Sequence, residues 1–196
     1  MQAMPTTTYR AIFDLADGQM GYVTTAQAGS VGVSPMALVM MARRGTIERV
    51  SRGVYRLASY PTFPLAHYME GVLWPSGRTG VISHETALAL YGLSDANPGK
   101  MHITLPAGFR VQRQTPDYMV VHFSDLPGDD VTRLENLPIT TPARTIRDCI
   151  AAHIGPALIK QAVTEAAATN RISPEVAAEL LRDPAFDLLP DAVWSA

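Results

Sequence analysis

Five arginines, Arg43, Arg44, Arg49, Arg52 and Arg56, fall within one short stretch of the sequence. A guanidinium is a permanently charged planar fork that fits phosphate oxygens and the O6/N7 edge of guanine. Residues 1–60 hold six arginines, with Arg10, against Asp14, Asp17 and Glu48, a net of +3 in a chain whose formal net charge is −2. The remaining residues therefore carry −5, so positive charge is concentrated where a nucleic acid would be met. The competing readings are a solvated arginine face on an ordinary helical subdomain and a module that binds a protein instead.

Other reactive residue types give less. Ser83-His84-Glu85 places three catalytic residue types in a row. Neighbours on a helix point about 100° apart, so the expectation is a helix cap followed by polar first-turn residues, with no relay among the three. The five histidines (67, 84, 102, 122 and 153) are scattered. His102 and His122 fall on expected strands and would be neighbours across a sheet, where ordinary strand surface is a better reading than a metal site. Asp129-Asp130 follows Pro127-Gly128 and reads as a turn, and the chain has only two lysines, Lys100 and Lys160, so the clustered carboxylates with a nearby lysine that a nuclease needs are missing. The stretch from Gly92 to Lys100 has six residues between its glycines and Met101 where a P-loop needs a hydroxyl, and it is rejected. No catalytic residue, cofactor or metal is expected, and the protein is not expected to be an enzyme.

The arginines need elements to present them, and the local signals supply these. Thr24 and Gln27 form a capping box for a helix from Thr25 to about Ser30. Gly32 turns the chain. Ser34 caps a second helix with Pro35 at its first position, and that helix stops at Arg43-Arg44 with Gly45 beyond. Two β-rich segments, Thr46–Val50 and Val54–Leu57, are joined by Ser51-Arg52-Gly53 as a hairpin with a bulge. With a first helix from about Thr8 to Asp17-Gly18, this is a winged helix-turn-helix. The expected DNA-binding set is Thr25, Ser34, Arg43, Arg44, Arg49, Arg52 and Arg56, with Ser34 at a helix N-terminus that offers free N–H groups to phosphate.

The rest of the chain reads as a larger mixed domain. Residues 1–58 form the reader, Ser59-Tyr60-Pro61 is a hinge, and residues 62–196 form the second domain. A helix carries Leu65, Tyr68, Met69, Val72 and Leu73 on one face. His84 to Tyr91 is helical, capped by Ser83 and stopped by Gly92. Met101–Leu105, ending at Pro106, reads as an edge or terminal strand. Tyr118–Phe123 is a second strand and Leu137–Thr140 a short third. Thr141-Pro142 opens a helix with Ile146, Cys149 and Ile150. Leu158, Ile159 and Val163 mark another that ends at Asn170, and Ser173-Pro174 opens a last one. Residues 1–7 are expected to be disordered and the tail from Ala185 loosely packed. The fold class is therefore α+β and helix-rich, with a small sheet and terminal helices in the second domain.

The order of motifs resembles the AbiEi family, the antitoxins of abortive-infection toxin–antitoxin systems. The residues that carry the resemblance are Val81–Leu88, Tyr91–Ser94, His102–Pro106 and Leu137–Asp148, together with the Gly53-Val54-Tyr55 wing behind a winged helix. The resemblance spans about residues 8–183. It implies a winged helix that binds inverted repeats in its own promoter as an autorepressor, and a second domain that counteracts a cognate nucleotidyltransferase toxin. In some longer bacterial proteins similar second-half motifs precede a nuclease-like domain; such a domain is not expected here, which favours the antitoxin reading. No residue is carried over for a toxin-facing surface; Arg144 and Arg147 are taken as structural, with Arg147 able to pair with Asp148 or with a nearby strand. The alternative is a winged-helix regulator whose second domain senses a ligand or binds a protein.

At 196 residues, 47% of them hydrophobic, the chain suffices for one or two buried cores. Cys149 is the only cysteine, so no disulfide within the chain and no cysteine-based zinc site can form. No secretory leader or membrane span is read from the sequence, and a cytoplasmic location is expected. No heptad seam is present, and a monomer that pairs on DNA is expected.

Overall fold

The computed structural model describes residues 6–184. The expectations for residues 1–5 and for the tail from Ala185 lie outside the described residues. The chain divides into two compact units: residues up to 81 with 108–114 and 133–138, and residues 82–107 with 115–132 and 139 onward. The class is α+β, with eight α-helices and two sheets among the described residues.

The first unit begins with α1 (Thr6–Asp17). It starts earlier than expected, taking in Thr6 and Thr7, and buries Ile12 and Ala16. A strand that had not been anticipated, β1 (Tyr22–Thr24), follows. Then come α2 (Thr25–Ser30), α3 (Pro35–Arg43), β2 (Ile47–Ser51), β3 (Val54–Leu57) and α4 (Ala66–Leu73). The sheet order is β1-β3-β2, antiparallel throughout, with a bulge between Arg49 and Ser51. Ser51 pairs with Val54, so the hairpin loop is the two residues Arg52-Gly53 and not three, and Gly53 supplies the positive φ of 80° that closes it. Ile12, Ala16, Val23, Ala28, Leu38, Met41, Ile47, Tyr55 and Leu57 make one core.

The stretch expected as a hinge is tied down. The Tyr60 hydroxyl donates to Asp17 Oδ1 at 2.9 Å and approaches the Asp17 carbonyl at 3.0 Å. The Arg56 guanidinium donates to the Tyr60 and Pro61 carbonyls. No local signal marks Tyr60, because its partners lie at the far end of α1 and on the wing.

The later elements are β4 (Val81–Ile82), α5 (His84–Tyr91), β5 (Met101–Leu105), β6 (Met119–Phe123), β7 (Val131–Leu134), β8 (Leu137–Thr140), α6 (Pro142–Ala151), α7 (Pro156–Ala168) and α8 (Pro174–Leu180); Val81 and residues 133–138 of these count with the first unit and the rest with the second. The sheet order is β6-β5-β4-β8-β7. Met101–Leu105 is therefore interior and not an edge, with β6 parallel to it on one side and β4 on the other. Pro106 lies past its last paired residue and costs the ladder no hydrogen bond. β7 had not been anticipated; Glu135 and Asn136, both at positive φ, link it to β8 as a two-residue turn does.

Ser83 and Thr141 occupy the cap positions of α5 and α6, yet neither side chain caps its helix. The Ser83 hydroxyl is committed elsewhere, and Thr140 and Thr145 share a hydroxyl contact of 2.7 Å beneath the start of α6. Ser173 does cap α8, accepting from the Val176 N–H.

Candidate nucleic-acid interface

The helix-turn-helix is fixed by its caps. Thr24 Oγ1 accepts from the Gln27 N–H at 3.1 Å, and Gln27 Oε1 accepts from the Thr24 N–H at 2.9 Å, which completes the capping box. Gln19 and Gln27 exchange side-chain hydrogen bonds, pinning α2 against the end of α1. Gly32, at φ 79°, makes the turn. Ser34 Oγ accepts from the Ala37 N–H and Pro35 opens α3. Leu38 and Met41 seat α3 on the core.

The expected contact residues take three different parts. Arg43, Arg44, Arg49 and Arg52 are exposed, and no hydrogen bond or ion pair ties their guanidinium groups among the described residues. Their charge is therefore available to a polyanion. Arg56 is half-buried; it holds the Tyr60 and Pro61 carbonyls and lies 5.9 Å over the Tyr22 ring. Its fork is used within the fold. Thr25 joins α2 to the wing: its N–H donates to the Gly53 carbonyl at 2.9 Å and its hydroxyl approaches the same oxygen at 3.4 Å. Ser34 remains exposed at the start of α3.

The sequence reading missed a contribution from much later in the chain. Arg113 Nη1 donates to the Arg52 carbonyl at 2.8 Å, and the same guanidinium lies 4.8 Å over the Trp74 ring. With Arg110, Gln112, Ser76 and Thr25 it lines a cleft of about 410 Å³ beside the wing tip. Three arginines, Arg52, Arg110 and Arg113, thus meet where the sequence had placed one. Nothing in the local sequence around residues 108–114 announces this, since the approach depends on the tertiary path.

The second unit gathers three of the five histidines, which the sequence presented as scattered. His102 Nδ1 lies 3.1 Å from His122 Nε2, and the His84 ring stacks on His122 with centroids 3.5 Å apart. Ser83 and His84 do touch, contrary to expectation: Ser83 Oγ is 2.9 Å from His84 Nδ1. The helical 100° rule fails at this junction because Ser83 is extended and His84 has φ 52°. Thr104 Oγ1 donates to Ser83 Oγ at 2.8 Å, which leaves the Ser83 proton for His84 Nδ1.

These groups form a partly buried polar cluster: Ser83, His84 and Thr104 are buried, and His102 and His122 are half-buried. Ser83 is fully buried, with its hydroxyl between Thr104 and His84. Burial pushes the His84 imidazole down to about 3, with His122, His102 and Arg144 adding to the effect. Burial, with His102, pushes His122 down to about 4, and both rings are neutral at pH 7. Burial also lowers His102, against the opposing pull of Glu85, whose Oε2 lies 3.6 Å from its Nε2. No group of three histidine, cysteine, aspartate or glutamate side chains is arranged to hold a metal ion among the described residues. Burial raises the Cys149 thiol and keeps it protonated.

The Asp129-Asp130 turn has a structural partner. Arg144 Nη1 donates to Asp130 Oδ2 at 2.7 Å, Nε to Asp148 Oδ1 at 2.7 Å and Nη2 to Ser124 Oγ at 3.0 Å. Arg147 pairs with Glu179 on α8 and not with Asp148, which Arg144 already occupies. No helix among the described residues is long and apolar enough to cross a membrane.

Residues 10–58 match the family described as transcriptional regulator, AbiEi antitoxin, and residues 79–182, more than half of the chain, match the AbiEi antitoxin C-terminal domain. No curated protein matches the chain. Among solved structures, the RV2827C protein from Mycobacterium tuberculosis is similar with a TM-score of 0.46 at 17% identity, over 99% of this chain and 75% of that one.

Proposed function

The chain belongs to the AbiEi antitoxin family, a family of transcriptional regulators, and from that premise we propose that it binds inverted repeats in its own promoter, represses its own operon and counteracts a nucleotidyltransferase toxin encoded beside it. The observation that carries the DNA half is the set of exposed guanidinium groups at the end of α3 and on the wing, Arg43, Arg44, Arg49 and Arg52, held by no other side chain among the described residues. Arg110, exposed in the cleft beside the wing tip, extends that positive surface, while the Arg113 guanidinium is used within the fold. One protein binds each half-site as a monomer, and two copies pair on the repeat.

The test is a gel shift on the DNA upstream of its own gene, run across a salt series beside an unrelated duplex. Specific retardation with a steep salt dependence is the expected result. Equal or absent binding to both duplexes would refute the autorepressor reading. For the toxin half, co-expression with the neighbouring nucleotidyltransferase should restore growth, and growth arrest that persists would refute it.

A further inference from the structure

The face that α3 presents to solvent is apolar. Met36 is 68% exposed and Val39 and Met40 are each 37% exposed, while Leu38 and Met41 on the opposite side are fully buried. At about 100° per residue, Met36, Val39, Met40 and Arg43 form one stripe along the helix. Over Pro35–Arg43 the only side chain with a hydrogen-bonding head is that of Arg43; the Ser34 hydroxyl, at the cap outside this span, accepts from the Ala37 N–H and keeps its own proton to donate.

A helix that reads bases through hydrogen bonds needs arginine, lysine, asparagine, glutamine, serine, threonine or an acid on this stripe, facing the groove. This helix has none before its last turn. The one apolar feature that the major groove offers on an unmodified base is the C5 methyl of thymine. Methionine suits it, because its unbranched, polarizable side chain adapts to a methyl surface.

We propose that α3 reads its operator through thymine methyl groups, with Met36, Val39 and Met40 as the specificity-determining residues and Arg43 supplying the only polar contact from the helix. This rests on the DNA-binding reading above and names the class of site it takes: half-sites rich in thymine at the positions facing α3. Charge argues for DNA over a protein on this face. The stripe ends at Arg43 and Arg44 and is followed by Arg49 and Arg52 on the wing, and the one acid of that stretch, Glu48, lies opposite Arg56 in the strand register.

Replacing thymine with deoxyuridine removes only the methyl and keeps every hydrogen-bonding group. The experiment is a binding titration of the full chain on its upstream duplex, with thymine or deoxyuridine in the protected half-sites. Affinity should fall about fourfold for each contacted methyl, the equivalent of re-exposing one buried methylene, with the salt slope unchanged. The double variant Met36→Ala/Met40→Ala, altered only at exposed positions, should bring the thymine-to-uracil ratio close to one while unspecific DNA binding persists. Specific binding that is indifferent to deoxyuridine would overturn the methyl readout and leave the operator reading standing. Absence of specific binding to the thymine duplex itself would instead overturn the operator reading. A double variant that changes the oligomeric state in free solution and leaves the ratio intact would assign the stripe to a second copy of the chain and overturn the proposal.

Discussion

Gly21 and Tyr60 are in direct contact: a Cβ built on Gly21 would stand 2.6 Å from the ring of Tyr60. The backbone there has φ 87°, a region that suits glycine. The ring can lie so close only because no side chain intervenes, and its hydroxyl is then delivered to Asp17. Gly21→Ala should cost about 2–4 kcal/mol, from backbone strain and overpacking together. Denaturant unfolding should show a lower midpoint with the same slope; an unchanged midpoint would mean that Tyr60 gives way freely.

Arg52 and Arg56 lie close in sequence and are predicted to fail differently. Arg52→Ala should weaken operator binding and lower the salt slope by about one unit, with no change in melting temperature. Arg56→Ala removes donors to the Tyr60 and Pro61 carbonyls and should cost about 1–2 kcal/mol in stability. Calorimetry beside the gel shift separates the two, and equal loss of DNA affinity at equal stability would contradict the division.

Arg144 is the cation between Asp130 and Asp148, at 2.7 Å from each. Its side chain and that of Asp148 are largely buried. Arg144→Ala leaves two carboxylates facing each other without a cation and should cost about 3 kcal/mol. Arg144→Lys should recover only part of this, since an ammonium cannot make three divergent contacts in one plane. Full recovery by lysine in thermal unfolding would show that charge alone matters here.

The histidine cluster makes stability depend on pH in one direction. His84 and His122 are depressed to about 3 and about 4 in the folded protein, against about 6.5 when unfolded. Between these values the unfolded chain binds more protons, so stability is full above about pH 6.5 and falls as the pH drops towards 4. His84→Asn keeps a residue that tolerates positive φ and removes one of the titrating rings. Its unfolding free energy should fall less steeply with acid than that of the parent. A parent curve that is flat from pH 7 to 4 would contradict the buried, neutral cluster.

Legibility in the sequence followed the range of the interaction. The Thr24–Gln27 box, the Ser34-Pro35 start, Gly45 and the Gly92 stop at φ 63° are all set within a few residues, and each was readable. The short strands β1 and β7 draw their hydrogen bonds from partners distant in sequence or across a tight turn, and three or four residues carry too little pattern to announce them. The same reason hid the meeting of His84, His102 and His122, the three contacts of Arg144 and the approach of Arg113 to the wing. Ser83 and Thr141 show the opposite failure: the local cap signal was present and neither side chain caps its helix, the Ser83 hydroxyl being held by Thr104 and His84. The exposed apolar stripe of α3 was written in the sequence as well, but exposure cannot be told from burial until Leu38 and Met41 are seen to take the core.

The first compact unit draws in residues 108–114 and 133–138, and that bears on its birth at the ribosome. Arg113 reaches the Arg52 carbonyl and the Trp74 ring only after some sixty further residues have been polymerised beyond the wing. Long-range closures of this kind come late in folding, because the loop entropy is spent before the contact forms. A nascent chain that stalls early therefore emerges with an arginine wing whose supporting cleft is missing.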